Sequence, residues 1–199
     1  MMDKKFFIGV PTRGKIDVRL AQILLYWQSK YKPTVFFTDK VIPHSAARNT
    51  IVKTFIDQKD YEWVVFVDDD VVPPSNALDI IEEDKAYDIV AGYAPIIREF
   101  KPGEQSIIMN FANFDGQVPP EPEEDYIYEV KNVGFGFIAI KKEVFDKIKK
   151  PYFDFFFKDE DGTTVRGEDI YFCDKVREAG FKIMLDPRLK CKHNKEILI

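Results

Sequence analysis

The sequence predicts an α/β protein whose parallel strands form a doubly wound sheet with helices on both faces. Its first half alternates strand-like and helix-like patterns, which is typical of this fold class. The run Val64–Val67 is apolar throughout, as expected for a strand covered on both faces. With 199 residues, the chain has the length of one domain.

The elements of the first half follow from apolar spacing and from turn residues. Apolar residues recur at helical intervals between 16 and 30, with Leu20, Leu24 and Trp27 on one face. Ser45 is expected to cap the next helix, whose buried face includes Ile51 and Phe55. The predicted elements are, in order, a strand over Phe6–Pro11, a helix over about 16–30, a strand over Thr34–Thr38, a helix from Ser45, a strand over Val64–Val67, a helix over about 75–85 and a strand over Asp88–Ala94.

The second half does not show this regular alternation of strands and helices. Residues from about 98 to 125 are rich in proline and acidic side chains and are predicted to form a loop or lid. Gly180 is expected to end a helix over Glu168–Ala179. The other predictions are a pair of strands over Tyr126–Val130 and Phe135–Ile140, a helix over about 143–149, strands over Phe181–Leu185 and Leu189–Lys192, and a core position for Cys173 and Cys191.

Composition excludes several classes of function. A net charge of −5 argues against a nucleic-acid-binding protein that relies on bulk electrostatics. Two cysteines do not make a disulfide framework, so reduced thiols are expected. The chain has no apolar stretch of the roughly 20 residues that a transmembrane helix needs, and the N-terminal run is too short for a signal peptide. A cytoplasmic protein is therefore expected.

Three acidic residues follow the apolar strand directly. Asp68, Asp69 and Asp70 would repel one another unless a cation lies among them, and their oxygens suit Mg²⁺, Ca²⁺ or Mn²⁺. Because ligands bind beyond the carboxyl ends of strands in such sheets, this position favours a metal site. The alternative is an Asp-rich turn that caps the next helix.

Two further positions carry residues suited to chemistry. Glu168 and Asp169 begin a predicted helix, where the helix dipole favours acidic residues. Alternatively, one of them is a general base. His193 follows the last strand and is either a metal ligand or a surface residue. His44 is no stronger candidate for a metal ligand. The sequence lacks the phosphate-binding motifs GxxxxGK[ST] and GxGxxG. Positive charge for binding a phosphate must therefore come from isolated residues such as Arg13 and Arg48.

The order of these motifs resembles the GT-A-fold nucleotide-sugar glycosyltransferases, in particular the family 2-like enzymes. The short length and the Lys/Glu-rich composition are also similar to small glycosyltransferases of archaeal viruses. The segments that carry the resemblance span nearly the whole chain and are Gly9–Arg13, Ala47–Asn49, Val67–Asp70, Gly134–Phe137, Ile140–Phe145, Gly167–Asp169, Gly180–Ile183 and His193.

The resemblance implies a single GT-A domain: one Rossmann-like sheet flanked by helices, with a smaller mixed or antiparallel extension. Residues from about 1 to 97 would bind the nucleotide sugar and residues from about 98 to 199 the acceptor. The implied cofactor is Mn²⁺ or Mg²⁺, held by a DXD motif. The implied donor is a UDP- or GDP-sugar, and the acceptor is a glycan, a protein or a lipid.

The resemblance also assigns roles to individual residues. Asp68, Asp70 and His193 would hold the metal, with Asp69 towards the ribose or the outer side of the metal. Asp169 would be the base of an inverting reaction, and Glu168 would hold donor or acceptor sugar. The residues implied in nucleotide binding are Pro11, Thr12, Arg13, Asp39, Arg48, Asp68 and Asp69.

Three other interpretations remain open at this point. The same order of motifs occurs in GT-A transferases that retain configuration and lack a conventional base. A sugar-phosphate nucleotidyltransferase would need a Gly-rich loop near the first strand, which Thr12-Arg13-Gly14-Lys15 matches poorly. A non-catalytic scaffold that binds nucleotide sugar or glycan would be expected to have lost acidic residues that this chain keeps.

Overall fold

The computed structural model describes residues 5–101, 104–114, 122–123, 126–157, 161–163 and 165–193, with backbone only for 96–101 and 104–108. Within these residues the strands are β1 Phe6–Thr12, β2 Thr34–Asp39, β3 Trp63–Val67, β4 Val71–Val72, β5 Ile89–Tyr93, β6 Ile96–Lys101, β7 Glu104–Ile108, β8 Phe111–Ala112, β9 Tyr128–Val130, β10 Asn132–Val133, β11 Phe137–Lys141, β12 Phe156–Phe157, β13 Val165–Arg166, β14 Ile183–Lys190 and β15 Lys192–His193. The helices are α1 Val18–Lys30, α2 His44–Ile56, α3 Ala77–Glu83, α4 Lys142–Lys147 and α5 Glu168–Glu178.

A seven-stranded sheet in the order β2-β1-β3-β11-β5-β14-β9 forms the centre of the molecule. Strands β2, β1, β3, β5 and β14 run in one direction, and β11 and β9 run against them. The five residues of β3 are all buried, as its continuous apolar sequence predicts. The expected mixed α/β fold is therefore confirmed, and the carboxyl ends of β1, β2 and β3 meet at one edge of the sheet.

The predicted elements of the first half are confirmed, with one correction at the start of α2. Pro43, not Ser45, occupies the position before the first helical residue, and no side chain caps this end. Ser45 lies inside the first turn and is buried. The side chain of Asp17 caps α1 by accepting a hydrogen bond from the amide of Arg19 at 2.7 Å.

The second half departs from the predicted strand pairing. Strand β9 pairs with β14 at the sheet edge, whereas β11 lies between β3 and β5, so these two strands are not partners. The region predicted as a loop contains the β6–β7 hairpin and β8; its acidic segment lies partly outside the described residues. Helix α5 ends before Gly180, whose φ of +89° suits glycine, and both cysteines are buried, as predicted.

Aromatic packing fixes α2 and α5 beneath the sheet edge. The rings of Phe153 and Phe172 stack with centroids 4.9 Å apart, and Phe135 contacts each of them edge-on. Asn49 of α2 donates to the carbonyl of Phe153 at 2.7 Å and accepts from its amide at 3.2 Å. None of the helices among the described residues is long and apolar enough to cross a membrane.

A buried acidic cluster lies where α3 meets β14. The guanidinium of Arg188 contacts Asp186 and Glu83 at 2.6 Å each and Asp84 at 3.3 Å. One positive charge faces three carboxylates, of which Asp84 and Asp186 are almost fully buried. Burial, together with the hydrogen bond and the negative charge of Asp186, raises the pKa of Asp84 to about 7.

This cluster predicts that the protein loses stability as the pH rises. The folded state keeps a proton on Asp84 that the unfolded chain releases near pH 4, so the stabilisation is complete at low pH and disappears through pH 7. We expect the free energy of unfolding to fall by about 2 kcal/mol between pH 5 and pH 8, as measured by urea denaturation. Asp84→Asn should abolish most of this fall, and the exposed Asp60→Asn should keep it. An equal fall in Asp84→Asn would contradict the assignment.

Candidate active site

The tip of β3 is held by backbone hydrogen bonds that set the direction of the three aspartates. The amide of Asp68 donates to the carbonyl of Gly136 at 3.1 Å, and the amide of Val71 donates to the carbonyl of Asp68 at 3.0 Å. These bonds close a tight turn directly after the buried strand. The three carboxylates therefore diverge, and each has different contacts.

Asp68 contacts a buried arginine. Arg48, on α2 and only 3% exposed, donates from Nη2 to Oδ1 of Asp68 at 3.0 Å and from Nε to Oε1 of Glu168 at 3.3 Å. Its guanidinium carbon lies 5.0 Å from the ring centroid of Phe135. Arg48 thus joins α2, the β3 tip and the start of α5 in one charge network.

Burial and charge act against each other on this pair. Burial alone would lower the pKa of Arg48, but the carboxylates of Asp68 and Glu168 raise it above its ordinary value. Burial raises the pKa of Asp68 by more than Arg48 lowers it, and the charge of Asp70 adds to this rise. Nη1 of Arg48 is buried without a hydrogen-bond partner, so the guanidinium has a donor to spare.

Asp70 contacts the late histidine. Strand β15 pairs with β4 in an antiparallel register that sets His193 opposite Val71, the residue after Asp70. Nε2 of His193 lies 3.2 Å from Oδ2 of Asp70, and the histidine side chain is 11% exposed. Two of the three predicted metal ligands therefore touch each other.

These two side chains fit a divalent ion in part. Neighbouring ligands of an octahedral ion, each about 2.1 Å from the metal, lie about 3 Å apart, close to the observed separation. A carboxylate oxygen and an imidazole nitrogen also suit Mn²⁺. Asp68 faces Arg48 instead, and the described residues contain no group of three or more His, Cys, Asp or Glu side chains that could hold a metal. Further ligand oxygens would come from a substrate or from water.

Asp69 points away from these groups and holds a neighbouring loop. Its Oδ2 accepts a hydrogen bond from the amide of Arg13 at 3.3 Å, and its carbonyl accepts from the amide of Asp17 at 2.8 Å. The loop between β1 and α1 is thereby fixed against the β3 tip.

The other residues expected to bind nucleotide lie at the ends of β1 and β2. Thr12 pairs in register with Asp39, and its hydroxyl accepts from the amide of Gly14 at 3.1 Å. Arg13 donates from Nη2 to Nε2 of His44 at 3.2 Å. Because a guanidinium only donates, that histidine nitrogen is the acceptor. Pro11, Thr12, Arg13 and Asp39 do not line the cavity described next, although Arg13 contacts His44, which does.

A cavity of about 430 Å³ opens where these elements meet. Five predicted site residues line it together, namely Arg48, Asp68, Glu168, Asp169 and His193. The lining also includes polar or flexible side chains not predicted as site residues, among them His44, Met109 and Asn110. His44 could have been found from its position four residues before Arg48, on the same helix face. Asn110 lies in the region predicted as a loop and gave no signal.

Asp169 lies in the first turn of α5 and lines the cavity. Its Oδ1 accepts a hydrogen bond from the amide of Ile170 at 2.7 Å. Burial raises the pKa of Asp169, and the neighbouring charge of Glu168 adds to the rise. A carboxylate with a raised pKa is a better proton acceptor than an exposed one.

The charge network predicts that removal of the Arg48 side chain has a large effect on stability. Arg48→Met would leave Asp68 and Glu168 without their cation, and we expect the free energy of unfolding to fall by about 3 kcal/mol. Urea denaturation at pH 7 would measure this change. Lys30→Met, which breaks the exposed pair with Asp79, is the control and should change stability little. Equal losses in the two variants would show that the network does not stabilise the fold.

Comparisons with solved structures identify the fold. A197 from STIV, a viral protein, superposes with a TM-score of 0.68 at 23% identity, covering 96% of this chain and 86% of that one. GalNAc-T7 with UDP, GalNAc and Mn²⁺ gives a TM-score of 0.61 at 14% identity, with 98% of this chain covered. S. aureus TarS with UDP-GlcNAc gives 0.57 at 15% identity, with 96% covered.

The chain corresponds to 44% of the GalNAc-T7 chain and 59% of the TarS chain. Neither a protein-family model nor a curated protein sequence matches it. At these identities the likeness establishes the architecture alone. The mixed seven-stranded sheet with its flanking helices is the GT-A fold of glycosyltransferases.

Proposed function

We propose that the protein is a metal-dependent glycosyltransferase that moves a sugar from a nucleotide-diphosphate donor to an acceptor hydroxyl with inversion. One observation carries this proposal. In a GT-A fold, a buried arginine and the carboxylates of Asp68, Glu168 and Asp169 converge on one cavity at the carboxyl edge of the sheet. Carboxylates with shifted pKa values in such a cavity are typical of catalytic sites.

The donor would lie over the ends of β1 and β3, within residues of about 1–97. Pro11, Thr12, Arg13 and Asp39 would contact the nucleoside, and Arg48 would offer its spare Nη1 donor to the diphosphate. Asp70 and His193, with Asp68 nearby, would hold Mn²⁺ or Mg²⁺. The bound ion would stabilise the charge that develops on the leaving diphosphate.

Asp169 would act as the general base. The acceptor O–H bond breaks as its oxygen bonds to the anomeric carbon, and the proton passes to Asp169. The bond from that carbon to the diphosphate oxygen breaks, and its electron pair leaves with the diphosphate. Glu168 would hold a sugar of the donor or acceptor while keeping Arg48 in place through its contact at 3.3 Å.

The first prediction concerns metal-dependent nucleotide binding. We expect UDP or GDP to bind in calorimetric titrations with Mn²⁺ and to bind at least tenfold more weakly with EDTA, because Asp70 and His193 would hold the ion that offsets the charge of the diphosphate. Asp70→Asn should weaken the Mn²⁺-dependent binding. Asp154→Asn, an exposed aspartate, serves as the matched control. Folded protein that binds neither nucleotide with any metal would refute the proposal.

The second prediction separates chemistry from binding. Asp169→Asn keeps the size of the side chain but cannot accept a proton, so we expect kcat to fall about 10²- to 10⁴-fold. The nucleotide Kd should stay within threefold of the wild-type value. Turnover is measured as nucleotide release from UDP- or GDP-sugars. A wild-type kcat in this variant would exclude Asp169 as the base and favour a retaining reaction.

The pH dependence of kcat gives an independent check of the same residue. Only the ionised carboxylate can accept a proton, so kcat should rise with pH through the pKa of Asp169. Because burial raises that pKa, the rise should lie above pH 3.8, the ordinary value for aspartate. The residual activity of Asp169→Asn should lack this rise.

A further inference from the structure

A second, smaller cavity opens on the other side of Asp169. It has a volume of about 200 Å³ and lies between β8, β10 and the first turn of α5. Asp169, Asn110, Met109 and Gly134 line both this cavity and the larger one. The carboxylate of Asp169, the proposed base, therefore lies on the boundary between the two cavities. We call the smaller space the second cavity.

The lining of the second cavity combines apolar side chains with amides. Phe111 and Val133 are buried beneath it, and Ile170 contributes to its wall. Asn110 is held in place, since its Oδ1 accepts from the amide of Ala94 at 2.9 Å. Asn132 also lines the cavity, and its Oδ1 has no hydrogen-bond partner. Amides can both donate to hydroxyl groups and accept from them, as a polyol requires.

The charges around the second cavity argue against an anionic occupant. Asp169 is the one charged residue among those that line it, and none of the described lining residues is Lys, Arg or His. A phosphate or carboxylate placed there would face the carboxylate of Asp169 and would lose its hydration, whereas the cation that acts on Asp169, Arg48, lines the larger cavity and is already paired with two other carboxylates. A neutral molecule with hydroxyl groups meets no such penalty.

The size of the second cavity sets the scale of the occupant. The cavity volume of about 200 Å³ lies below the roughly 300–1,000 Å³ of pockets that take a drug-sized ligand, so the space suits a single small ring such as a pyranose. We infer that the second cavity binds the acceptor as a neutral sugar, with a hydroxyl directed at Asp169. This inference rests on the proposed transferase function and selects a glycan over a lipid phosphate or an acidic peptide.

The inference is tested with defined acceptors and wild-type protein. UDP- and GDP-sugars with Mn²⁺ are incubated with neutral methyl glycosides of the gluco, galacto, manno and N-acetylgluco series. Farnesyl phosphate serves as the anionic alternative. We expect at least one glycoside to raise nucleotide release tenfold or more over hydrolysis by water, and farnesyl phosphate to leave the rate unchanged.

Two variants locate the effect in the second cavity. Ala112→Phe places a ring in the second cavity, because Ala112 lines that cavity and not the larger one. Asn132→Ala removes the amide. Each should raise the glycoside KM about tenfold. Asn113→Ala is the matched control for Asn132→Ala, since its Oδ1 is likewise buried without a partner but it does not line the cavity. Circular dichroism checks that each variant is folded.

The outcomes separate this inference from the proposed function. Wild-type protein that binds neither UDP nor GDP would overturn both. Nucleotide binding without stimulation by any glycoside, or with stimulation by farnesyl phosphate, would overturn the neutral-sugar acceptor and leave the transferase proposal standing. Stimulation that survives Ala112→Phe and Asn132→Ala unchanged would place the acceptor elsewhere.

Discussion

The structure of the site depends on the charge of Arg48. A guanidinium that is 3% exposed must have carboxylates in contact, because an unpaired buried charge costs several kcal/mol. Asp68 and Glu168 supply them from the end of β3 and the start of α5. The positions of these two elements relative to α2 are therefore set by charge as well as by apolar packing. The cavity is the space left beside this network.

Strand β11 connects the two halves of the chain through backbone pairing. It runs antiparallel between β3 and β5 and so joins the first and second halves of the chain in one sheet. The residues before it approach the β3 tip, where the carbonyl of Gly136 accepts from the amide of Asp68. A side chain at Gly136 would meet Val71 at 3.2 Å, so a larger residue would disturb this approach. The same arrangement brings Gly134 to both cavities.

Some sequence predictions were wrong, and the strand pairing was wrong because it depends on distant partners. The apolar pattern locates β9 and β11 but does not specify their pairing; β9 pairs with β14, and β11 enters the middle of the sheet. Pairing is decided by the total apolar area buried by all strands, which a local window does not contain. Ser45 was expected to cap α2, but Pro43 takes that position and Ser45 is buried in the first turn.

The sequence by itself determined the α/β class, the buried strand that ends just before Asp68, the start of α5 at Glu168 and its end before Gly180. These features depend on local periodicity, on side-chain charge and on the φ of one glycine. Only the tertiary structure decided that Asp68 faces Arg48, that Asp70 contacts His193 and that Asp169 lies between two cavities. Those contacts join residues far apart in the chain, and their geometry follows from strand order and burial, which no single segment encodes.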